Sequence, residues 1–343
     1  MNQYINSTDH QQQQQQIQYL NELSHTIGSL AFSFMAPVGV LGCLLSVGLF
    51  FLNPSIRQTQ GAYLFGWIAI FNMLTLTPQA IMSIQGWLGL TFISDSDLGC
   101  KLIQLFVRVA SSQGSFLQSF VTILRYANLR HPTRYRFIRL KRFMNLVIFA
   151  SSLAQLLFSS LSFTYELKND VVNQTNTTAI GKLRSSSCES SRSIELANDL
   201  IFAFTRVIIP SILIETFNLK SICLWAKRRG KALKIKISMF MFFQRRFKRD
   251  RAFAISVMEY GHAFIVFNLP LAISFPLYNV YTRSDAAFIA DRQLLVAQLN
   301  LFVTFGFFFT NLYYSLTLMW NILFNRTFRQ QLIQILTHIQ TTK

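Results

Sequence analysis

Arg108, Ser111, Ser115, Gln118, Thr122 and Arg125 recur at intervals of three, four, three, four and three. On an α-helix these six positions form one continuous polar stripe with a cation at each end. The chemistry open to such a stripe is hydrogen bonding and charge recognition, and each guanidinium needs a partner. The hydroxyls at 111, 115 and 122 serve equally well as helix–helix contacts with no ligand at all. Catalytic and metal chemistry finds little support. The chain has no His-Glu-x-x-His motif, and His10, His25, His131, His262 and His338 are scattered. Glu259 and His262 share one helical face and read as a buried polar contact rather than a catalytic pair. The expectation is a protein that is not an enzyme and carries no metal and no cofactor.

A helix with that stripe faces other helices or a watery cavity, and the composition shows what surrounds them. The chain is 51% hydrophobic and 13% charged, with 34 phenylalanines among 343 residues. A soluble domain carries about 25% charged residues, so a polytopic membrane protein is indicated. Seven stretches approach the ~20 residues that span a bilayer core: 28–52, 62–85, 101–124, 143–164, 197–225, 252–280 and 293–318. The third and seventh are the most polar. No sustained period-two alternation supports a β-barrel. The fold class expected is all-α, a seven-transmembrane-helix bundle. Residues 1–27 form a polar extracellular tail whose glutamine run, Gln11 to Gln16, reads as disordered. Residues 28–318 form the bundle and 319–343 a cytoplasmic amphipathic helix and tail. That helix is marked by Phe324, Phe328, Leu332, Ile335 and Ile339.

Charge sets the orientation. Arg125, Arg130, Arg134, Arg136, Arg139, Lys141 and Arg142 follow the third segment, and "KRRGKALKIK" and "RRFKRDR" lie between the fifth and sixth. Most acids fall in the opposite loops, so the amino terminus lies outside and the carboxy terminus in the cytoplasm. The protein is expected to be multi-pass in the plasma membrane. A net charge of +18 would also suit a nucleic-acid binder, but its segregation by loop excludes nucleic acid as the partner. The basic third inner loop suits anionic membrane lipid. The sequons at Asn6, Asn173 and Asn176 fall outside and predict glycosylation. Cys43 and Cys223 read as small buried residues. Cys100 and Cys188 are the two cysteines exposed to the oxidising side, and they are expected to pair; two free outer thiols are the alternative.

These residues carry a family resemblance. "RYANLRHP" from Arg125 resembles the Asp-Arg-Tyr motif and following segment of rhodopsin-like G-protein-coupled receptors, with Tyr126, Leu129 and Pro132 in the family's places. Cys100 stands 25 residues before Arg125, the family's usual interval, and Cys188 falls where the family places its second-loop partner. Pro210 resembles the fifth-helix proline, and "FIVFNLP" is similar to the sixth-helix motif, retaining Phe264 and Pro270. "GVLGC" and "NRTFRQQL" resemble the first-helix signature and the start of the helix after the seventh segment. The resemblance covers roughly residues 28–338. It departs at Leu124 for the aspartate, Asn268 for the sixth-helix tryptophan and Asn218 for the fifth-helix tyrosine, and no clear Asn-Pro-x-x-Tyr is present. These departures bear on activation and on signalling competence.

The resemblance implies a receptor that binds an extracellular ligand and activates a heterotrimeric G protein. It implies an activation switch of Arg125, Tyr126, Asp250, Phe264, Asn268 and Pro270. Asp250, 20 residues before Pro270, pairs in this reading with Arg125 as an off-state latch; otherwise it is a solvated residue in a basic run. Ligand-contact candidates are Arg108, Ser111, Ser115, Arg206, Asn268, Asn300 and Thr304. Val107 stands at the position where amine receptors carry an aspartate, so monoamines are disfavoured. The absence of lysine from the seventh segment excludes a retinal Schiff base. Two arginines near the mouth suit a carboxylate or an acidic peptide. Each arginine can instead satisfy a carbonyl or an acid such as Glu189 or Glu195. A seven-helix transporter or channel is the alternative class; no internal repeat of the transporter kind is seen.

Overall fold

The computed structural model describes residues 2–52, 60–88, 96–130, 141–164, 166–170, 185–189, 191–232, 240–282, 292–324, 328–330, 332–334 and 337. Within these, the side chains of 2–10, 60–62, 82, 83, 85–88, 141, 166–170, 185–189, 192, 228–232, 240–257 and 324 lie outside the description. The helices are α1 Asn2–Leu30, α2 Ala36–Leu52, α3 Gln60–Leu88, α4 Asp97–Arg130 and α5 Lys141–Phe158. They continue with α6 Arg192–Ala203, α7 Ile209–Ala232, α8 Phe240–Thr282, α9 Gln293–Ser315 and α10 Thr317–Phe324. An antiparallel ribbon, β1 Glu166–Asp170 with β2 Ser185–Glu189, pairs Leu167 opposite Cys188.

Among the described residues, six helical runs are long and apolar enough to cross a membrane: Gln11–Leu52, Tyr63–Ile81, Arg142–Thr164, Ser193–Lys227, Met258–Thr282 and Gln293–Ser315. They make the chain a multi-pass membrane protein. Its solvent preference is inverted to match. Leu41, Leu45, Phe149, Leu157, Ile212, Leu219, Val266 and Ile273 point outward, while Asn72, Gln113, Gln118 and Asn268 are buried. Hydrocarbon outside rewards that arrangement, because buried polar groups find partners on facing helices.

Helix α4 is the exception to apolarity. It packs against α3, α5, α7 and α8, and its residues from Ala110 to Ser115 are all buried. A helix enclosed by others does not need an apolar surface, so composition alone excludes it from the six. Ser96 starts it: the Ser96 hydroxyl accepts from Gly99 N–H at 3.1 Å. Asp97 sits in the first turn and pairs with Lys101 at 2.9 Å. Both features suit a helix amino terminus.

Two π-turns precede prolines, Ala31–Met35 before Pro37 and Phe204–Ile208 before Pro210. Proline lacks an N–H and its ring presses on the carbonyl four residues back, so the ladder widens upstream. Ile209 N–H accordingly bonds Phe204 O, five residues away. The glutamine run, expected to be disordered, is helical within α1. Glutamine is a good helix former, Gln18 donates to Glu22 at 2.9 Å, and α1 packs on α9. At Gly306 the backbones of α9 and α8 nearly touch: a Cβ there would lie 2.8 Å from Leu271 Cα. The segment after α9 breaks at Leu316 and resumes as α10. Phe328 beyond it is buried, its ring 5.1 Å from Phe50.

Candidate functional site

The polar interior of the bundle is layered along α4. At the outer level, Arg108 Nη2 meets Asp199 Oδ1 at 2.8 Å, and Arg108 Nη1 donates to Asn198 O at 3.3 Å. Asn279 Nδ2 donates to the other carboxylate oxygen of Asp199 at 2.5 Å. One carboxylate therefore holds α4, α6 and α8 together. Arg108 is 6% exposed and Asp199 2%. A buried pair with extra hydrogen bonds to its carboxylate is the arrangement in which desolvation is best offset.

Below it lies Arg206, 4% exposed, in the π-turn before Pro210. The guanidinium donates through Nη2 to the Tyr314 hydroxyl at 3.1 Å. Its carbon lies 5.0 Å from the centroid of Phe202, and the Arg108 carbon lies at the same 5.0 Å. Tyr314 adds a second ring at 5.6 Å from Arg206. Cation–π contacts lower the cost of the buried charge without neutralising it. Arg206 meets no carboxylate among the described residues, and its Nε has no hydrogen-bond partner.

The middle level is organised by Gln118. Its amide nitrogen donates to Tyr260 O at 3.0 Å, and its oxygen accepts from the Tyr313 hydroxyl at 2.7 Å. One side chain thus joins α4, α8 and α9. Phe264 packs edge-on against Tyr313 with centroids 5.8 Å apart. Asn268 donates to Phe264 O at 2.9 Å and its oxygen accepts from Thr310 at 3.4 Å. Asn72, on α3, donates to the Thr317 hydroxyl at 3.1 Å, and Thr317 donates to Tyr314 O at 2.6 Å.

At the far end of α4, Arg125 is 6% exposed, and its Nε and Nη1 have no hydrogen-bond partner. Tyr126 packs on Phe217 of α7 with centroids 5.4 Å apart and accepts from Arg130 at 3.2 Å. Asp250 is helical, but its side chain lies outside the described residues, and with it the expected Arg125–Asp250 latch. Pro270 lies within α8 without interrupting it.

The expected ligand residues divide into two groups. Arg108 and Arg206 share Phe202, whereas Asn300 and Thr304 face α1: Asn300 donates to Ser24 at 3.3 Å, and Thr304 shares a hydrogen bond with Ser24 at 2.7 Å. Ser111 and Ser115 donate to the carbonyls of Val107 and Ser111, at 2.7 and 3.0 Å. Glu259 and His262 do not form the expected buried contact. Both are exposed, so burial does not hold them together, and His262 turns instead to Glu215 of α7 across the α7–α8 seam at 3.3 Å. Cys100 is disulfide-bonded and buried, while Cys43 and Cys223 are free thiols. Cys43 is buried as expected and Cys223 is exposed. The Cys188 side chain, the sequon residues Asn173 and Asn176, and the side chain of Asn6 lie outside the described residues.

Asp199, Asn279, Phe202, Tyr313 and Tyr314 escaped the sequence reading. A signal existed for Asp199, an acid inside the apolar 197–225 stretch, where a charge needs a partner. Nothing in local spacing marks the tyrosines. Comparison of the chain with protein-family models and with curated proteins finds no match.

Proposed function

We propose that the chain is a seven-helix receptor of the rhodopsin-like kind, binding an extracellular ligand in its outer half and activating a heterotrimeric G protein at its inner end. The observation that carries this reading is α4: a long polar helix enclosed by four others, disulfide-bonded at Cys100 and ending in the buried, incompletely hydrogen-bonded Arg125. In this reading α4 is the seventh span, joining the six apolar ones. Cys188 on the outer ribbon is the sulfur partner of Cys100, and Asn6, Asn173 and Asn176 carry glycans. The basic loops lie in the cytoplasm beside anionic lipid, the amino terminus lies outside, and the membrane is the plasma membrane.

The mechanism follows from the two ends of α4. Ligand engaging the arginine level biases one of two global states, because it binds that state better. Moving a population from mostly off to mostly on needs ~5.5 kcal/mol of differential affinity. The inner end responds as α8 moves away, hydrating Arg125 and opening a cleft for the G protein. Asp250 closes that cleft in the off state. Nucleotide exchange on a panel of co-expressed G proteins tests the reading, with Asp250→Asn expected to raise basal exchange. Exchange unchanged by either form of the protein, together with solute flux in reconstituted vesicles, would replace the receptor with a transporter or channel.

A further inference from the structure

The two outer-half arginines differ in whether a carboxylate among the described residues meets them. Asp199 lies seven residues before Arg206, about 10 Å along the helix axis, and its two oxygens already accept from Arg108 and Asn279. Glu195 lies a further turn out, about 16 Å from Arg206 along the axis. Arg206 is left with a phenol and two ring faces. Its own Nε is unbonded, and so is Nδ2 of Asn311, which is 1% exposed and one turn from Tyr314 on α9. A buried cation with unused donors and no counter-charge among the described residues is costly in a bundle that has every opportunity to replace it by an apolar residue.

We propose that Arg206 is a carboxylate-recognition point inside the bundle, walled by Phe202 and Tyr314 and assisted by Asn311. A carboxylate takes a guanidinium side-on through Nε and Nη2, making two parallel charge-assisted hydrogen bonds. Nε is open, and among the described residues Nη2 is held only by the Tyr314 hydroxyl, so an incoming carboxylate displaces a neutral acceptor. Displacement breaks a direct hydrogen bond between the fifth- and seventh-segment helices, α7's π-turn and α9. Recognition thereby alters how those helices are joined. Arg108 has its carboxylate and serves to hold the bundle. The inference deepens the receptor reading and rests on it for the direction from which ligand arrives.

The test uses the full-length protein in lipid nanodiscs, followed by thermal unfolding at constant ionic strength in acetate, chloride or methylammonium. Acetate should raise the midpoint saturably, and chloride and methylammonium should not. Arg206→Gln should abolish the acetate response while raising the midpoint without added anion. Should that variant fail to fold, Tyr314→Phe serves: it frees Nη2, and the acetate response should move to lower concentration. An acetate response that is absent, unchanged in Arg206→Gln, unmoved in Tyr314→Phe or matched by chloride overturns the assignment. Loss of the response with G-protein exchange intact removes this site alone. Acetate binding without exchange removes the receptor reading alone.

Discussion

Arg108 and Arg206 sit within reach of the same phenylalanine, both buried, yet the chain treats them in opposite ways. Arg108 has a carboxylate that is itself held from a third helix. Arg206 has a hydroxyl, two rings and an open nitrogen. The first arrangement closes on itself and fixes α4, α6 and α8 relative to one another. The second is incomplete, and its helix is locally widened where the arginine emerges. Equal burial and equal residue type therefore say nothing about role. Nε lacks a hydrogen-bond partner in both, so what separates a structural cation from a recognition cation here is whether a described carboxylate meets the guanidinium.

The comparison breaks hardest at Asp199. Asp199→Ala removes the carboxylate described against Arg108 and the acceptor of Asn279. Truncating one partner of a buried pair costs ~3–5 kcal/mol, because the remaining charge stays buried. Thermal unfolding of the purified protein should show that loss. The double variant Arg108→Met with Asp199→Leu should recover most of it, since an apolar pair of similar volume has no desolvation penalty. If Asp199→Ala proves neutral, Arg108 resembles Arg206 after all and the distinction disappears.

Much of the bundle was legible because membrane helices are written in long apolar runs. The position of α4 at the centre was legible because its polar residues keep a helical interval, which only an enclosed helix tolerates. The partners on that stripe were not. Gln118 meets Tyr313 across 195 positions of chain, and Arg206 meets Tyr314 across 108. Nothing local encodes either meeting, since it depends on how far each helix is rotated and shifted. The sequence pattern grouped Asn300 and Thr304 with the arginines by depth alone. Rotation of α9 turns them instead to Ser24 on α1, a helix the composition of residues 1–27 disguised as a tail.

A smaller effect sharpens the same contrast at the middle level. Gln118 is neutral, but like Asp199 it is matched on both sides, to Tyr260 O and to the Tyr313 hydroxyl. Gln118→Leu leaves the buried Tyr313 hydroxyl without this acceptor. An orphaned polar group costs ~1–3 kcal/mol. Tyr313→Phe in the Gln118→Leu background should return part of that loss, because removing both members of a buried pair leaves nothing unsatisfied. A double-mutant cycle by thermal unfolding measures the coupling. Additive losses would mean that the two side chains act separately, and that the joint between α4, α8 and α9 lies elsewhere.

The smallest effect belongs to the hydroxyls of the same stripe. Ser111 and Ser115 donate to carbonyls of their own helix three to four residues back. Such back-bonding adds nothing between helices and slightly weakens the one it decorates. Ser111→Ala and Ser115→Ala should therefore change stability by no more than about 0.5 kcal/mol, and they should leave the acetate response at Arg206 intact. A larger loss, or an altered response, would show these hydroxyls rotating to partners outside α4. The stripe would then act as one polar surface instead of as two arginines and an amide joined by inert spacers.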